Sequence, residues 1–424
     1  MSSAKVSIWN QTIGYLYWDT PNQVAIFEAD DSYVDASFNI APFIQPDKNK
    51  LLSGGDFHQK FKGLIPTFND SLPDAFGNTV FLEWMAKNNM SQSEMNPVER
   101  LLYVGRRGAG ALEYEVGKDI PNISGEIDIN ELAGISDLIM KRKYRQEDHL
   151  HNPEALKNIL TIGSSIGGAQ AKILLAVNLD GKILAGDLMH KEPVNYYIVK
   201  LEHDPTSIWA REKNYVELVY NQMAAEAGVN VADSKLFIEG EKAHFASKRF
   251  DRVNNQKIHT QTVNALSGFY GRNTEFSYEQ IFRIMESFKL PYEDFKQLYI
   301  QMVFNVAASN RDDHTKNFSF LMSADGTWKL SPAYDLTYPF DPYQSFKVPH
   351  QISINKKNID ISRADLVAVA KKVGIRGYHQ IIDQVVEAVS TFTAKIAEYG
   401  LNMNTTDLIA KDLERNAMRL KRTK

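Results

Sequence analysis

The sequence predicts an α+β protein with a β-rich N-terminal subdomain, a β-rich lobe carrying one long helix, and a helical C-terminal lobe. Three observations carry this. Residues 5–40 are dense in β-branched and aromatic residues around turn signals. Hairpin patterns return between 169 and 250 around a single amphipathic stretch, "REKNYVELVYNQMAAEAGVN". From about residue 253 the periodicity is helical.

In chain order, "KVSIWNQTIGYLYWD" reads as two strands around Asn10-Gln11, followed by β runs in "QVAIFEA" and "YVDASFNI". Residues 51–76 are punctuated by Gly, Pro, Asn and Asp and read mainly as loop. "NTVFLEWMAKNNM" and "NPVERLLYVG" read as helices, the second with Pro97 where a missing N–H costs nothing. "ALEYEV" is a strand, and "DINELAGISDLIMKRKY" a helix with a basic last turn. The polar run 144–153 marks a boundary, giving segments 1–148, 149–252 and 253–424. "GSSIGG" is a loop. "AQAKILLAVNL", a DG turn and "KILAGDLM" form a hairpin. "YYIVKLE" is a strand, the long helix ends at Gly228, and "SKLFIEGEKAHFASKRF" is another hairpin. Helices follow in "SYEQIFRIMESF" and "PYEDFKQLYIQMVFNVAASN", then a hairpin in "NFSFLMSADGTWKLS", then helical patterns at 362–373, 377–399 and 405–421.

Composition removes whole classes of chemistry. The 424 residues contain no cysteine, so disulfides, thiol catalysis and zinc–thiolate sites are excluded. A net charge of −4 argues against binding nucleic acid by bulk charge. No apolar run reaches about 18 residues, and "MSSAKVSIWN" lacks the pattern of a secretion signal. The expectation is a cytoplasmic protein with no membrane contact. His151, His190, His203, His244 and His259 show no metal-ligand spacing.

The stretch "NVAASNRDDHTKNFSFLM" crowds two carboxylates, an imidazole, amides and cations between two apolar runs. Asp312 and Asn317 lie five residues apart between a long helix and a hairpin, and Asp335 follows that hairpin in "PAYD". Protein kinases use D-x-x-x-x-N in this way, the Asp handling the attacking hydroxyl and the Asn binding Mg²⁺, with a further Asp as a second ligand. Lys316 is placed to neutralise charge on a transferred phosphoryl. A lone D-x₄-N is equally a solvated polar turn. Lys200 closes an apolar strand, as the ATP lysine of kinases does, with Glu217 on the following helix as its candidate partner. A surface lysine fits the same pattern. In "GSSIGGAQAK", Gly163 and Gly168 have the outer spacing of a phosphate-binding loop, but Ala169 stands where the Walker lysine belongs. A flexible glycine loop over phosphates and a plain linker both remain open.

Together "SSIGGAQAK", "YYIVKLE", "KRFDR", "NRDDHTKNFSF" and "LSPAYDL", with "DSLPDAFG" and "RRGAGALEYE" upstream, resemble the HipA family, the serine/threonine kinase toxins of bacterial toxin–antitoxin pairs. The resemblance implies a two-lobed, protein-kinase-like fold of the HipA type. It makes Asp312 the catalytic base, Asn317 and Asp335 Mg²⁺ ligands with Asp312 beside them, and Lys200 the ATP lysine, with Lys316 near the phosphoryl. It puts His314, Gln261, Gly167 and Gly168 in the nucleotide site and Lys248, Arg249 and Phe250 at an adenine hinge. Ser165 takes the place of an autophosphorylated, inactivating serine. The implied cofactors are ATP and Mg²⁺. The implied partners are a protein substrate, an aminoacyl-tRNA synthetase in the best-known relatives, and a HipB-like DNA-binding antitoxin through which DNA is met only indirectly. Two departures stand out. Lys248 replaces a familiar Glu, and Asp313 replaces a common Gly, where it is expected to add negative charge beside the base. A small-molecule kinase, and an inactive ATP-binding module that sequesters a partner or co-represses a promoter, are the competing readings.

Overall fold

A computed structural model describes residues 2–34, 36–44, 51–73, 75–87, 95–115, 127–129, 132–134, 136, 170–187, 189–202, 207–269, 276–343 and 348–421. The expected boundary at 144–153 and the loop holding Ser165, Gly167 and Gly168 lie outside the described residues. The chain divides into two compact units. The first comprises residues 1–203, 248–270 and 321–327; the second comprises 204–247, 271–320 and 328–424.

The first unit opens with an antiparallel sheet of β1 (Ser3–Ile8), β2 (Gln11–Asp19), β3 (Val24–Ala29), β4 (Leu51–Ser53) and β5 (Leu112–Glu115), in the order β4-β3-β2-β1-β5. Alternation places Val6, Ile8, Leu16, Trp18, Phe27 and Tyr114 in the core. The β1–β2 turn is Trp9-Asn10, both left-handed at φ 49° and 65°, one residue before the turn read from the sequence. Helix Pro97–Val104 starts on a capping box, with Asn96 accepting from Val98 and Glu99 N–H and Glu99 returning to Asn96 N–H.

Two local expectations are corrected. "YVDASFNI" forms no strand among its described residues. The Asp30 carboxylate accepts from the Ser32 N–H and hydroxyl and turns Asp31–Val34 into a single helical turn. Residues 51–76 are less irregular than expected, since β4 pairs with β3 and short helical turns follow at His58–Phe61 and Pro66–Asn69.

Strand Lys172–Asn178 pairs antiparallel with Ile183–Ala185, as the DG turn predicts, and with Val194–Lys200. Helical structure does not start at 253. Arg252–Val253 and Gln256–Lys257 form a hairpin around Asn254-Asn255, both at positive φ, and strand His259–Thr262 follows. Asn-Asn here supplies the turn that Asn-Gly usually signals.

The second unit contains the hairpin of Ser234–Glu239 with residues 242–247, and helix Ile208–Glu226, capped by the Ser207 side chain. Helices Tyr278–Ser287, Tyr292–Ala307, Arg363–Lys372, Tyr378–Ser390, Phe392–Ala397 and Met403–Leu420 complete it. Their buried faces contribute Phe282, Leu298, Val303, Phe304, Leu366, Ile382 and Ile409 to its core. Among the described residues no helix is long and apolar enough to cross a membrane.

Candidate active site

The loop expected to do chemistry begins where helix Tyr292–Ala307 ends. The Asn310 N–H reaches back to the Asn305 carbonyl at 2.9 Å and the Ser309 N–H to Val306 at 3.5 Å. This is a Schellman ending, with Ser309 left-handed at φ 53° in the place glycine usually takes. The serine is held there by its hydroxyl. It donates to Asp412 at 2.9 Å and accepts from Asn416 at 2.7 Å and Arg311 at 3.2 Å. The buried Tyr220 hydroxyl donates to the Ala308 carbonyl, which fixes the helix end to helix Ile208–Glu226.

Beyond Ser309 the loop turns over the candidate base. His314 N–H donates to the Asp312 carbonyl at 2.9 Å, and Thr315–Asn317 form one 3-10 turn. The Asn317 side-chain nitrogen donates to that same Asp312 carbonyl at 2.8 Å. Binding the amide nitrogen turns its oxygen the other way, where it can serve as a ligand. The Asp312 carboxylate keeps 25% of its side-chain surface exposed, and its Oδ2 lies 3.9 Å from His314 Nε2.

Asp335 is brought to this loop by its neighbours. Tyr334 Oη donates to the Lys316 carbonyl and lies 2.6 Å from Ser319 Oγ. The Leu336 carbonyl accepts from Asn221 at 3.4 Å, and Ala333 bridges to Val231. Asp335 itself sits at φ 56°, an uncommon backbone for a residue with a side chain, sustained by these ties. Asp312, Asn317 and Asp335 thus belong to one connected loop system in the second unit.

Asp313 does not play the part expected of it. Its side chain is fully buried. Oδ2 meets the Tyr278 hydroxyl at 2.9 Å and His350 Nδ1 at 2.8 Å, while Oδ1 accepts from the Gln351 N–H at 2.8 Å. Burial, and after it the Asp313 carboxylate, push the Tyr278 phenol well above its usual range, so it remains a donor. Tyr278 also accepts from Asn305, which in turn accepts from Asn310. Asp313 is therefore an internal anchor for the loop, not an extra charge presented beside Asp312.

Lys200, Lys248, Arg249, Phe250 and Gln261 fall in the first unit, whereas Glu217 and Lys316 fall in the second. Lys200 ends its strand and is 8% exposed. Directly opposite it in the antiparallel register stands Lys172, equally buried. Opposed residues of such a pair share one sheet face. Lys172, the last residue of "GAQAK", is not singled out by any motif, and only its direct pairing with the strand "YYIVK" brings it to the site. Arg249 is buried, with its guanidinium bidentate on Asp251 at 2.8 Å and its N–H on the Tyr196 carbonyl. Arg252 adds a further bond to Asp251 and donates to the carbonyls of Gly108 and Gly110, while the Gly110 N–H also reaches Asp251. Burial alone would raise the Asp251 carboxyl, but the charges of Arg249 and Arg252 outweigh it and hold the group far below the usual range. "KRFDR" thus locks to "RRGAGALEYE". Gln261 is buried and donates to the Ile40 carbonyl at 2.7 Å, and its amide oxygen has no hydrogen-bond partner among the described residues.

Among the described residues no three His, Asp or Glu side chains cluster tightly enough to hold a metal by themselves. That is compatible with Mg²⁺, which commonly takes one or two carboxylates and completes its shell from water and substrate phosphates. The hard oxygens of Asp312, Asn317 and Asp335 suit such an ion.

The comparisons agree with this architecture. Residues 164–392, more than half of the chain, match the HipA-like C-terminal domain, and residues 4–115 match the HipA N-terminal domain. The chain belongs to the HipA family. A chain of the solved complex "Shewanella oneidensis MR-1 Toxin Antitoxin System HipA, HipB and its operator DNA" superposes with a TM-score of 0.69. That match covers 98% of this chain and 96% of that one at 18% identity, so the two share a fold. A curated protein of Sinorhizobium fredii, "Putative kinase Y4dM", is 26% identical over 176 residues. The matched stretch spans 41% of this chain and 42% of that relative's length.

Proposed function

We propose that the protein is an ATP-dependent serine/threonine protein kinase of the HipA toxin type. The observation that carries the reading is the Asn317–Asp312 hydrogen bond, with Tyr334 tying Asp335 to the same loop. It supports a division of labour between a base that keeps solvent access and two oxygen ligands held by backbone ties.

In this reading Asp312 accepts the proton of a substrate hydroxyl as its oxygen attacks the γ-phosphorus, and ADP departs. Asn317 and Asp335 hold Mg²⁺, which supplies charge neutralisation on the phosphates. Lys200 and Lys172 offer two cations to the phosphate oxygens, and Lys316 neutralises the phosphoryl in transit. Arg249, pinned by Asp251 and Tyr196, fixes the segment Lys248–Phe250 so that backbone groups can meet adenine. His314, Gln261, Gly167 and Gly168 complete the nucleotide surroundings, and Ser165 is the site of inactivating autophosphorylation. The segments 1–148, 149–252 and 253–424 serve as N-terminal subdomain, nucleotide lobe and catalytic lobe.

By the same resemblance, the substrate is a cytoplasmic protein such as an aminoacyl-tRNA synthetase, and a HipB-like antitoxin is the partner. The structural relative was solved with HipB and operator DNA, which supports that partner class. The test is incubation of purified protein with labelled ATP, Mg²⁺ and a cell lysate. Label on a lysate protein that is absent with Asp312→Asn supports the kinase. ATP binding without transfer to any protein favours a binding module, and label only on small molecules favours the small-molecule kinase.

A further inference from the structure

Beside the candidate base, the C-terminal helix carries a second chemical feature. Asp412, Arg415 and Arg419 lie three and four residues apart on helix Met403–Leu420 and so project from one face. That face, with Arg311, Val348, His350 and residues 358–361, encloses a pocket. Three guanidinium groups line it, those of Arg311, Arg415 and Arg419.

Their carboxylate partners engage little of their donor capacity. Arg311 uses Nη2 on Asp412 at 3.0 Å, Arg415 uses Nη1 on Asp412 at 2.9 Å, and Arg419 uses Nη2 on Asp360 at 2.9 Å. Three cations therefore share two carboxylates, and each guanidinium has five N–H donors. Arg415 and Arg419 keep 54% and 30% of their side-chain surface exposed. Of its apolar lining residues Val306 and Ile361 are buried and Ile359 is exposed, and most of the others, among them His350, Asn358 and Asn416, are polar. A side chain ending in an anion matches this lining of three arginines among polar and a few apolar residues. A nucleic-acid backbone fits it less well, since such ligands need an extended basic stripe and the chain is net negative.

We infer that this pocket binds an acidic or phosphorylated side chain of a peptide, and that it selects protein substrates by an anionic residue near the phosphorylated hydroxyl. The inference rests on the proposed kinase reading for its role in selection, but not for the binding itself. Arg311 connects the two, because it is adjacent in sequence to Asp312 and shares Asp412 with the pocket. An anion drawing on Arg311 therefore acts on the same network that holds Ser309 and the catalytic loop.

The test is binding by fluorescence anisotropy of three labelled peptides of one sequence, carrying phosphoserine, glutamate or serine at a single position. The expected result is at least ~10-fold tighter binding of the anionic peptides, as one charge-assisted contact of about 1.5 kcal/mol gives. Arg415→Ala with Arg419→Ala should abolish that preference while the thermal midpoint and ATP affinity stay unchanged. Equal binding of the three peptides, or a preference that survives the double variant, would overturn the pocket. So would a single-stranded oligonucleotide that outcompetes the phosphoserine peptide. If anionic peptides bind in this way but none is phosphorylated, the kinase reading fails and the pocket stands.

Discussion

The side-chain amide of Asn317 donates to the backbone carbonyl of Asp312 over 2.8 Å, joining the two ends of the D-x₄-N loop. The bond sets the chain direction on both sides of the candidate base and leaves the Asp312 carboxylate out of the tie. Removing that carboxylate therefore tests chemistry with little effect on the loop.

Asp312→Asn should reduce phosphoryl transfer by about 10²–10⁴-fold, the usual cost of losing a positioned general base. The substitution keeps the side-chain volume and the backbone carbonyl that Asn317 uses. The thermal midpoint and ATP affinity should stay close to wild type. Single-turnover assays with labelled ATP would check this, and unchanged turnover would remove Asp312 from the role of base.

Asp335→Ala tests metal binding, with a backbone cost of about 1–2 kcal/mol for alanine at φ 56°. Tyr334 and Leu336 make the ties that hold this segment, and they survive the substitution. The expected result is loss of the Mg²⁺-dependent part of ATP affinity together with activity, since phosphate charge would go uncompensated. Calorimetric titrations with and without Mg²⁺ would show it. An Mg²⁺ effect of the same size in the variant would exclude Asp335 as a ligand.

Much of this arrangement was legible in the sequence because its signals are local. The D-x₄-N spacing, the hairpin after it and the strand ending in Lys200 each sit within one short segment. What was not legible depends on distant partners. Asp313 read as an added charge because Tyr278 and His350, which bury it, lie more than thirty residues away on either side. Lys172 carries no local signal, since its significance comes from strand register opposite Lys200. "YVDASFNI" has strand-forming residues, yet one Asp30 hydrogen-bonding pattern at its start outweighs them. The Asn254-Asn255 turn gives only a weak signal because neither residue is glycine, although Asn tolerates the left-handed backbone.

Asp313→Ala should act on stability first. It would leave the Tyr278 hydroxyl, His350 Nδ1 and the Gln351 N–H facing a cavity. Buried polar groups left without partners cost about 1–3 kcal/mol each, so a loss of at least about 3 kcal/mol is expected. Urea unfolding would measure it. A wild-type midpoint with altered metal preference would instead restore the view of Asp313 as a charge acting on the site.

Acid should weaken the fold through two carboxylates. Arg249 and Arg252 hold Asp251 far below the usual range against the opposing effect of burial. For Asp365 burial also works upward, but bonds from Ser362, Lys357 and Asn355 prevail and bring it down to about 2 from an ordinary 3.8. A carboxyl lowered on folding binds fewer protons in the native state than in the unfolded one. Its stabilisation is present in full above the unfolded value and is lost as pH falls through about 4 toward the folded value. Asp251→Asn should therefore destabilise the protein at pH 7, by about 3–5 kcal/mol for breaking a buried ion pair from one side. It should also flatten the decline in stability below pH 4. Unfolding midpoints at pH 7, 4 and 3 for wild type and variant would decide: parallel declines in the two proteins would mean that Asp251 does not carry the acid sensitivity.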